Sequence, residues 1–334
     1  MSKPSAQRFQ TLIDKFPVLP PVFVLGDIGI DKYTFGEVKR ISPEAPVPVL
    51  EVTKEWNKLG LAANVSDNLK SLTVNSTLCG LVGEDSRAGL LESLLEERGL
   101  KTWGLVRDPG RHTTYKERVT TATQQICRVD YESRHPISPA VTEKFRARAG
   151  EFVRDHAGVI IEDYGKGLLT QELLAHVIAT FTEAGKLVAV DPSRSTNPLW
   201  YKGAQLLKPN MTEARMMVEA LGYFKERDVA TMATILIEKL QLKKIIITLG
   251  AEGMAMLDTE ANSGLKLIPT VANEVYDVSG AGDTAISAIT ASLLAGATLE
   301  EAGWIGNCAS GVVVKKRGTA LCSMDELKEF YKSL

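Results

Sequence analysis

A glycine-rich turn between two aspartates is the segment of this chain best suited to chemistry. Asp277 and Asp283 flank the turn at 279–282, which reads SGAG, and an apolar run with helical spacing follows at 284–295. Glycine permits the close backbone approach that lets successive N–H groups surround an anion. These amides would stand at a helix N-terminus, where the macrodipole favours negative charge. Asp283 is therefore either a helix-start acid that satisfies an amide or a general base beside a phosphate site.

The same turn also fits a dinucleotide-binding fingerprint, because Gly280, Gly282 and Ala285 match G-x-G-x-x-A. A dinucleotide site needs a second strand after the helix, with an acid about 20 residues on. Thr298 and Glu301 instead form a T-x-x-E capping box, which predicts a second helix. The phosphate-loop pattern G-x-x-x-x-G-K-[ST] does not occur in the sequence. Binding of ATP would require another architecture, and a dinucleotide-dependent oxidoreductase remains as an alternative.

Other polar residues follow short apolar runs along the chain. Continuous apolar runs of about 4–6 residues are typical of strands buried on both faces. These runs alternate with helical patterns such as 86–98 and 171–184, which predicts an α/β fold with a doubly wound, mostly parallel sheet. Ligands bind beyond the carboxyl ends of such strands. The residues at those ends are Asp27, Asp163, Asp191, Asn210 and Gly250.

Two segments interrupt this alternation. Residues 33–53 contain three prolines and lack a helical period, whereas residues 112–131 alternate and are rich in Thr and Val. Both patterns predict antiparallel strands outside the main sheet. We interpret them as a small β-strand lid on a single domain that covers residues 1–334, since no linker, repeat or low-complexity segment divides the chain.

The composition limits the partners and the compartment. The 334 residues carry a net charge of −2, which argues against nucleic-acid binding, and no apolar stretch reaches the roughly 18–20 residues of a membrane span. The four cysteines include no C-x-x-C pair and the four histidines are isolated, which predicts reduced thiols and no zinc site. Residues 1–20 lack the apolar core of a secretion signal. We therefore expect a cytoplasmic protein with no nucleic-acid or membrane partner.

The motifs together resemble one enzyme family. The segment DVSGAGDT at 277–284 is similar to the C-terminal signature of the PfkB/ribokinase family of sugar kinases. The segment 26–52, which contains RISPEAPVPV, resembles the subgroup of D-glycero-β-D-manno-heptose-7-phosphate kinases. Further matches continue in order over roughly residues 20–325: AANV, EDYGKG, VDP, KPNMTE and EVYDVSGAGDT. The resemblance implies a ribokinase-like fold.

The resemblance assigns roles to the residues of the glycine turn. Asp283 would accept the proton of the sugar hydroxyl. The amides of Gly280, Ala281 and Gly282 would stabilise charge on the transferring phosphoryl group, as an oxyanion hole does. Two residues match the family's monovalent-cation loop, which would add K⁺ as an activator: Asp277 and Ser279.

The implied cofactors are ATP and Mg²⁺. Asn210 and Glu213, in an N-x-x-E motif, would organise Mg²⁺ and its waters near the ATP phosphates, with Glu213 acting through a water. Thr248 and Gly250 would line the nucleotide cleft, and Asn307 would lie near the adenine or ribose. By residue type alone, Asn210 and Glu213 fit a helix N-cap and its first-turn acid equally well.

The resemblance also implies a sugar site. Asp27, Asp31 and Asn64 would hold sugar hydroxyls, because carboxylates and amides accept bonds from adjacent OH groups. A phosphorylated substrate needs a positive partner, although surface cations are usually only solvated charges. The candidates for that partner are Arg40, Lys116 and Lys166.

The stretch KLGLAANV departs from the family pattern. Gly60 matches the first glycine of the Gly-Gly pair that the family usually carries beside the sugar, but Leu61 takes the second place. We expect the Leu61 side chain to narrow the sugar pocket beside Asn64. The DPK motif of the subgroup is here DPSR, with Ser193 and Arg194.

The sequence thus predicts a kinase that transfers the γ-phosphate of ATP to the C1 hydroxyl of D-glycero-β-D-manno-heptose 7-phosphate, in the pathway to lipopolysaccharide core. The alternatives are a kinase of another sugar phosphate or a nucleoside, and a non-catalytic sugar-phosphate-binding protein of the same fold. Some relatives fuse this kinase to a nucleotidyltransferase; because this chain ends soon after the kinase motifs, we expect that domain to be a separate protein. By resemblance, the lid strands would pair across a homodimer.

Overall fold

Two β-sheets with helices around the larger one make up the fold. The computed structural model describes residues 3–261, 264–272 and 274–334. Within these ranges the strands are β1 (Val22–Gly26), β2 (Ile28–Ile41), β3 (Pro48–Leu61), β4 (Ser76–Val82), β5 (Leu105–Arg107), β6 (Thr114–Thr120), β7 (Gln125–Tyr131), β8 (Gly158–Glu162), β9 (Leu187–Asp191), β10 (Leu206–Leu207), β11 (Lys244–Thr248), β12 (Met254–Asp258) and β13 (Lys266–Ile268).

The nine-stranded body sheet has the order β13-β12-β11-β10-β9-β8-β1-β4-β5. Neighbouring strands are parallel from β11 to β5, and only β12 and β13 pair antiparallel at one edge. Every residue of β1 and β8 is buried, because helices cover both faces of the sheet. The doubly wound, mostly parallel sheet predicted from the apolar runs is confirmed.

The helices divide between the two faces of the body sheet. They are α1 (Ala6–Ile13), α2 (Ala62–Ser71), α3 (Ser86–Glu97), α4 (Pro139–Phe152), α5 (Gln171–Glu183), α6 (Met211–Ala220), α7 (Val229–Leu240), α8 (Ala281–Leu294), α9 (Leu299–Val313) and α10 (Met324–Ser333). One apolar core packs α1, α2, α3, α8, α9 and α10 on one face, and a second packs α4 to α7 on the other. In the described part of the chain, no helix combines the length and apolar character of a membrane span.

The lid is a four-stranded sheet with the order β3-β2-β6-β7. The β2–β3 and β6–β7 pairs are antiparallel as predicted, but β2 and β6 run parallel. The first hairpin is longer than the predicted 33–53, since its strands continue to Ile28 and Leu61. Residues 28–34 are buried throughout, so their sequence does not show the alternation of a strand with one solvated face.

Both long lid strands join the body directly. Asp27 alone separates β1 from β2, and Leu61 ends β3 and caps α2, with the Ala62 amide donating to the Asp27 carbonyl at 2.9 Å. Leu61 has φ 60° and ψ −140°, a backbone conformation that glycine adopts freely and L side chains rarely adopt. The departure seen in the sequence therefore puts a leucine where the backbone favours glycine.

Candidate active site

The carboxyl ends of the body strands open into a cleft of about 1070 Å³. Its walls come from the ends of β8, β9 and β11, from the first turns of α6 and α8, and from β6 and β7 of the lid. Ligands of parallel α/β sheets bind at this edge. Four of the five residues that follow the apolar strands in the sequence therefore meet in one place: Asp163, Asp191, Asn210 and Gly250.

Asp283 is buried in the first turn of α8, at the wall of the cleft. Its Oδ2 accepts a hydrogen bond of 2.6 Å from Asn64 Nδ2, and its Oδ1 accepts one of 2.7 Å from Tyr164 Oη. Burial raises the pKa of Asp283 to about 6, although the two hydrogen bonds oppose that rise. Such a carboxylate is ionised at neutral pH yet basic enough to accept a proton from a hydroxyl.

The glycine turn stands at the N-terminus of α8. Gly280 is the N-cap with φ 79°, and a Cβ at this position would approach Asn64 Nδ2 to 3.0 Å. The Ala281 amide donates to the Val278 carbonyl at 3.2 Å, so it is not free for an anion. Within the described ranges the Gly282 amide has no acceptor, as expected for the first turn of a helix.

Gly282 is helical, so the glycine here is not required by an unusual backbone angle. A Cβ at residue 282 would point towards Lys208 Nζ at 3.6 Å and Asp191 Oδ2 at 3.8 Å. Both residues line the cleft. The glycine therefore keeps open the space in front of the helix N-terminus.

A buried group of charges lies beside Asp283. Lys208 Nζ and Asp191 Oδ2 form an ion pair of 2.7 Å between two strand ends. Burial raises the pKa of Asp191 to about 6, with Lys208 opposing the rise.

Glu162 ends β8, and its Oε2 is buried with no hydrogen-bond partner among the described residues. Burial, reinforced by Asp191 and Asp283, raises the pKa of Glu162 well above its usual range. Neither Glu162 nor Lys208 was predicted from the sequence to lie in the site, although the KPN motif is a signal for Lys208.

Asn210 and Glu213 form a capping box at the start of α6. Asn210 Oδ1 accepts from the Glu213 amide, and Glu213 Oε2 accepts from the Asn210 amide, both at 2.9 Å. The helix-cap alternative therefore describes their contacts in this structure. Both residues also line the cleft, together with Thr248 and Gly250. Their contact with Mg²⁺ or nucleotide stays a prediction.

Two other predicted cofactor sites are engaged by backbone groups. Asn307 donates from Nδ2 to the Pro269 carbonyl at 2.7 Å and is not a wall residue of the cleft. Asp277 accepts from the Ser279 amide at 2.9 Å and from the Gly318 amide at 2.8 Å. These hydrogen bonds outweigh burial and lower the pKa of Asp277. Asp277 thus joins the glycine turn to the loop that follows α9.

The predicted sugar residues are buried next to the cleft rather than in its walls. Asp27 Oδ2 accepts from the amides of Tyr164 at 3.1 Å and Lys166 at 3.0 Å. Burial, with Asp163 adding to it, raises the pKa of Asp27 to about 7. Asn64 is the predicted sugar residue that directly contacts Asp283. It also lines an adjoining cavity of about 470 Å³.

Asp31 and Gly60 are diagonal neighbours at the base of the lid, where Asp31 pairs with Lys58 and Gly60 pairs with Gly29. Asp31 Oδ1 accepts from Arg118 Nη1 at 2.6 Å. A Cβ at residue 60 would come within 3.0 Å of Asp31 Oδ2, so glycine gives that carboxylate its room. Arg40 lies far along β2, exposed and opposite Val49, and it is not a wall residue of the cleft.

Basic residues gather where the lid meets the cleft. We call this group the basic cluster: Lys116, Arg128, Arg134 and Lys166, linked through Asp130 and Glu132. Glu132 lies 2.5 Å from Lys166 Nζ, 2.6 Å from Arg134 Nη2 and 3.3 Å from Lys116 Nζ. These cations overcome the effect of burial and lower the pKa of Glu132 to about 2. Of the basic residues predicted near the sugar, the structure places Lys116 and Lys166 at the cleft.

Comparisons with known proteins place the chain in a family. The model of the pfkB family of carbohydrate kinases matches residues 28–326, so the chain belongs to that family of sugar kinases. The bifunctional protein HldE of Nitratiruptor sp. is 39% identical over 317 residues, which are 94% of this chain and 66% of that protein. The chain thus spans just under two thirds of that relative's length.

Solved structures have the same fold. Phosphofructokinase-2 from Escherichia coli, in complex with potassium, superposes with a TM-score of 0.76 at 21% identity, over 94% of this chain and 99% of that one. Arabidopsis thaliana ribokinase, complexed with ribose and ATP, gives a TM-score of 0.71 at 18% identity over 94% and 99% of the two chains. The ribokinase-like fold predicted from the motifs is confirmed.

Proposed function

We propose that this kinase phosphorylates the C1 hydroxyl of D-glycero-β-D-manno-heptose 7-phosphate and yields the 1,7-bisphosphate, a step towards lipopolysaccharide core. The resemblance of RISPEAPVPV to the heptose-phosphate kinases and the similarity to HldE support this substrate. The basic cluster is the structural observation that supports a phosphorylated substrate. Its four cations exceed its two carboxylates by two positive charges, the complement of a phosphate dianion.

The contacts within the basic cluster favour an anionic ligand. Burial lowers the pKa of Lys166; Glu132 opposes that effect and the positive charge of Lys116 adds to it. Like charges held this close repel one another, and a bound phosphate would relieve the repulsion. Charge-assisted hydrogen bonds from Lys and Arg are also the strongest that a phosphate receives. The lid would thus hold the substrate phosphate while the hydroxyl reaches Asp283.

In this proposal four wall residues of the cleft have a defined effect on the reaction. Asp283 accepts the proton of the attacking hydroxyl. The amide of Gly282 and the ammonium of Lys208 face the same space, where they stabilise negative charge on the transferring phosphoryl group. Burial and the neighbouring carboxylates raise the pKa of Glu162, which disfavours its charged form beside that group.

The donor set fits Mg²⁺ that is held mainly by substrate phosphates and water. The described residues contain no group of three or more His, Cys, Asp or Glu side chains that could cage a metal ion. Mg²⁺ is commonly bound through one or two carboxylates with phosphates and waters, and Asp191 and Glu213 both face the cleft. Mg²⁺ would neutralise phosphate charge there. Activation by K⁺ near Asp277 and Ser279 is part of the proposal, and a KCl titration against NaCl tests it.

A different sugar phosphate is the second candidate substrate, and Leu61 favours it. The leucine stands next to Gly60 in a conformation suited to glycine. Any shift of the turn at Leu61 would change the position of the neighbouring Asn64 and of the carboxylate of Asp31. The basic cluster remains compatible with this second candidate.

We also propose that the protein is a homodimer that pairs through the lid. Large apolar side chains are exposed on the lid strands and the turn between β2 and β3: Val38, Ile41, Val47, Val52, Val129 and Tyr131. Exposed apolar residues grouped on one sheet are typical of a protein interface.

The substrate is tested with ATP, Mg²⁺ and a panel of sugars offered with and without a terminal phosphate, with products identified by ³¹P NMR. We expect kcat/KM to be highest for the heptose 7-phosphate. Equal turnover of the unphosphorylated heptose would contradict the role of the basic cluster. A higher kcat/KM for another sugar phosphate would select the second candidate.

The variant Lys166→Met tests whether the basic cluster causes the preference for the phosphorylated sugar. Loss of one charge-assisted hydrogen bond should raise the KM of the phosphorylated sugar by roughly 10- to 100-fold and leave the KM of ATP unchanged. Lys239→Met is the matched control, because Lys239 is exposed on α7. If Lys166→Met weakens phosphorylated and unphosphorylated sugars equally, the substrate phosphate does not bind there.

A further inference from the structure

Tyr164 is fixed from both ends beside the proposed base. It lies in the segment that follows β8, and its hydroxyl donates to Asp283 Oδ1 at 2.7 Å. Its main-chain amide donates to Asp27 Oδ2 at 3.1 Å, and the Lys166 amide donates to the same oxygen at 3.0 Å. One buried carboxylate therefore anchors the backbone of a residue whose side chain holds another buried carboxylate.

We infer that Tyr164 is a positioning residue that orients the carboxylate of Asp283 and stabilises its charged form by a hydrogen bond, an inference that rests on the proposed role of Asp283 as the base. Asn64 Nδ2 holds Oδ2 at 2.6 Å while Tyr164 holds Oδ1. With one donor on each oxygen, the plane of the carboxylate cannot rotate freely. A carboxylate offers about four acceptor sites, so lone pairs remain for the proton of a substrate hydroxyl.

The charges around Asp283 make the tyrosine hydrogen bond important. Glu162 at the end of β8, Asp191 at the end of β9 and Lys208 after β10 face Asp283 together with Tyr164. Burial raises the pKa of Asp283, while the donors Asn64 and Tyr164 favour its charged form. The negative charge of Asp191 disfavours the charged form of Asp283, so the two donors counteract both burial and this neighbour.

Tyr164 itself stays neutral. Burial raises the pKa of Tyr164 well above its usual range, and the negative charge of Asp283 adds to this effect. The hydroxyl therefore remains a donor at every pH at which the kinase would work. Tyr164 acts through Asp283 and exchanges no proton with the substrate.

The test is the pH dependence of kcat/KM for Tyr164→Phe. Without the donor, the charged form of Asp283 is less stable, so the acid limb of the profile should move upwards by about one unit, a tenfold change in proton affinity. The activity lost at pH 6.5 should then largely return at pH 8.5. A loss of folded protein that is the same at every pH lowers the whole profile without moving its acid limb, so such a loss leaves the test intact.

Tyr201→Phe is the matched control. Tyr201 is fully buried, and its hydroxyl, like that of Tyr164, donates to a carboxylate, here Asp163 Oδ2 at 2.7 Å. The substitution Tyr201→Phe removes a tyrosine hydroxyl oxygen, as Tyr164→Phe does, but this hydroxyl makes no hydrogen bond to Asp283. We expect its acid limb to coincide with that of the wild type.

Three outcomes test this inference, and they distinguish its failure from the failure of the proposed function. An acid limb of Tyr164→Phe that coincides with the wild type overturns the inference, whatever the size of kcat. An Asp283→Asn variant with wild-type kcat would instead overturn the role of the base, and with it the proposed mechanism. An acid limb that moves equally in Tyr164→Phe and Tyr201→Phe would also overturn the inference, because the shift would then not depend on contact with Asp283.

Discussion

At the scale of single residues, Asp283 joins the features expected of a base: burial, two donors and a position at a helix N-terminus. We expect Asp283→Asn to lower kcat by roughly 100-fold or more, the usual range for loss of a general base, while ATP affinity stays within about twofold. Steady-state kinetics and ATP-binding calorimetry measure the two effects. A variant with wild-type kcat would show that Asp283 only satisfies the helix terminus.

The same residue predicts opposite pH trends for activity and stability. The folded pKa of Asp283, about 6, lies above the value of about 3.9 expected in the unfolded chain. The folded state therefore binds this proton more tightly, and the contribution of Asp283 to stability grows as pH falls from about 7 to 4. Activity should fall over the same range because the base becomes protonated.

The Asp283→Asn variant isolates that stability effect. Relative to the wild type it should be more stable at pH 8, by on the order of 2 kcal/mol, because it buries no charge. The difference should shrink by pH 5. Urea unfolding at both values measures it, and a difference that does not change with pH would contradict a raised pKa of Asp283.

Sequence patterns identified Asp283 and the glycines but not their partners. Asn64 is 219 residues and Tyr164 119 residues from Asp283 along the chain. No periodicity or spacing reports a contact over such separations. From the sequence, Tyr164 could have been singled out only as the aromatic residue that follows a strand end. The Oε2 atom of Glu162, which has no hydrogen-bond partner among the described residues, can be recognised only in the folded body sheet.

At the scale of elements, the local rules predicted more. Continuous apolar runs indicated the body strands because these strands are buried on both faces, and the T-x-x-E pattern predicted the capping box of α9 that the structure contains. The ends of the lid hairpin could not be predicted. Its proximal half is buried against the body, so its sequence lacks the alternation that marks its distal half.

Leu61, between β3 and α2, gives the prediction at this scale. Alanine is usually better tolerated than glycine within ordered elements by about 0.5–1 kcal/mol. At φ 60° and ψ −140° the order of stability of the two variants should reverse, because only glycine relieves the backbone strain. We expect Leu61→Gly to be more stable than Leu61→Ala by about 1 kcal/mol, as measured by urea unfolding.

The same pair of variants also tests the expected effect of Leu61 on sugar selectivity. Leu61→Gly should change the ranking of sugars in the panel without changing ATP affinity. An unchanged ranking would mean that the Leu61 side chain points away from the sugar. If Leu61→Ala is less destabilised than Leu61→Gly, the backbone of the turn can relax.

At the scale of the whole molecule, the exposed apolar residues of the lid predict its association. A charge at Val38 and at Val52, which are exposed on β2 and β3, should convert a dimer into monomers. Light scattering of Val38→Lys/Val52→Lys against the wild type measures the mass. The double change Leu199→Lys/Phe224→Lys is the control, since those residues are exposed on the body. A monomeric wild type would exclude the proposed dimer.

The direct joints between lid and body have a mechanical consequence. The two strands of the long hairpin leave the body at adjacent points, Asp27 and Leu61, which the hydrogen bond from Ala62 to Asp27 fastens together. Any swing of the hairpin must therefore change the backbone at this junction. A strained leucine in the junction makes it stiff, because few alternative torsion angles are open to it. The rigidity of a hinge, rather than any contact with the ligand, would then set how wide the entrance opens between turnovers.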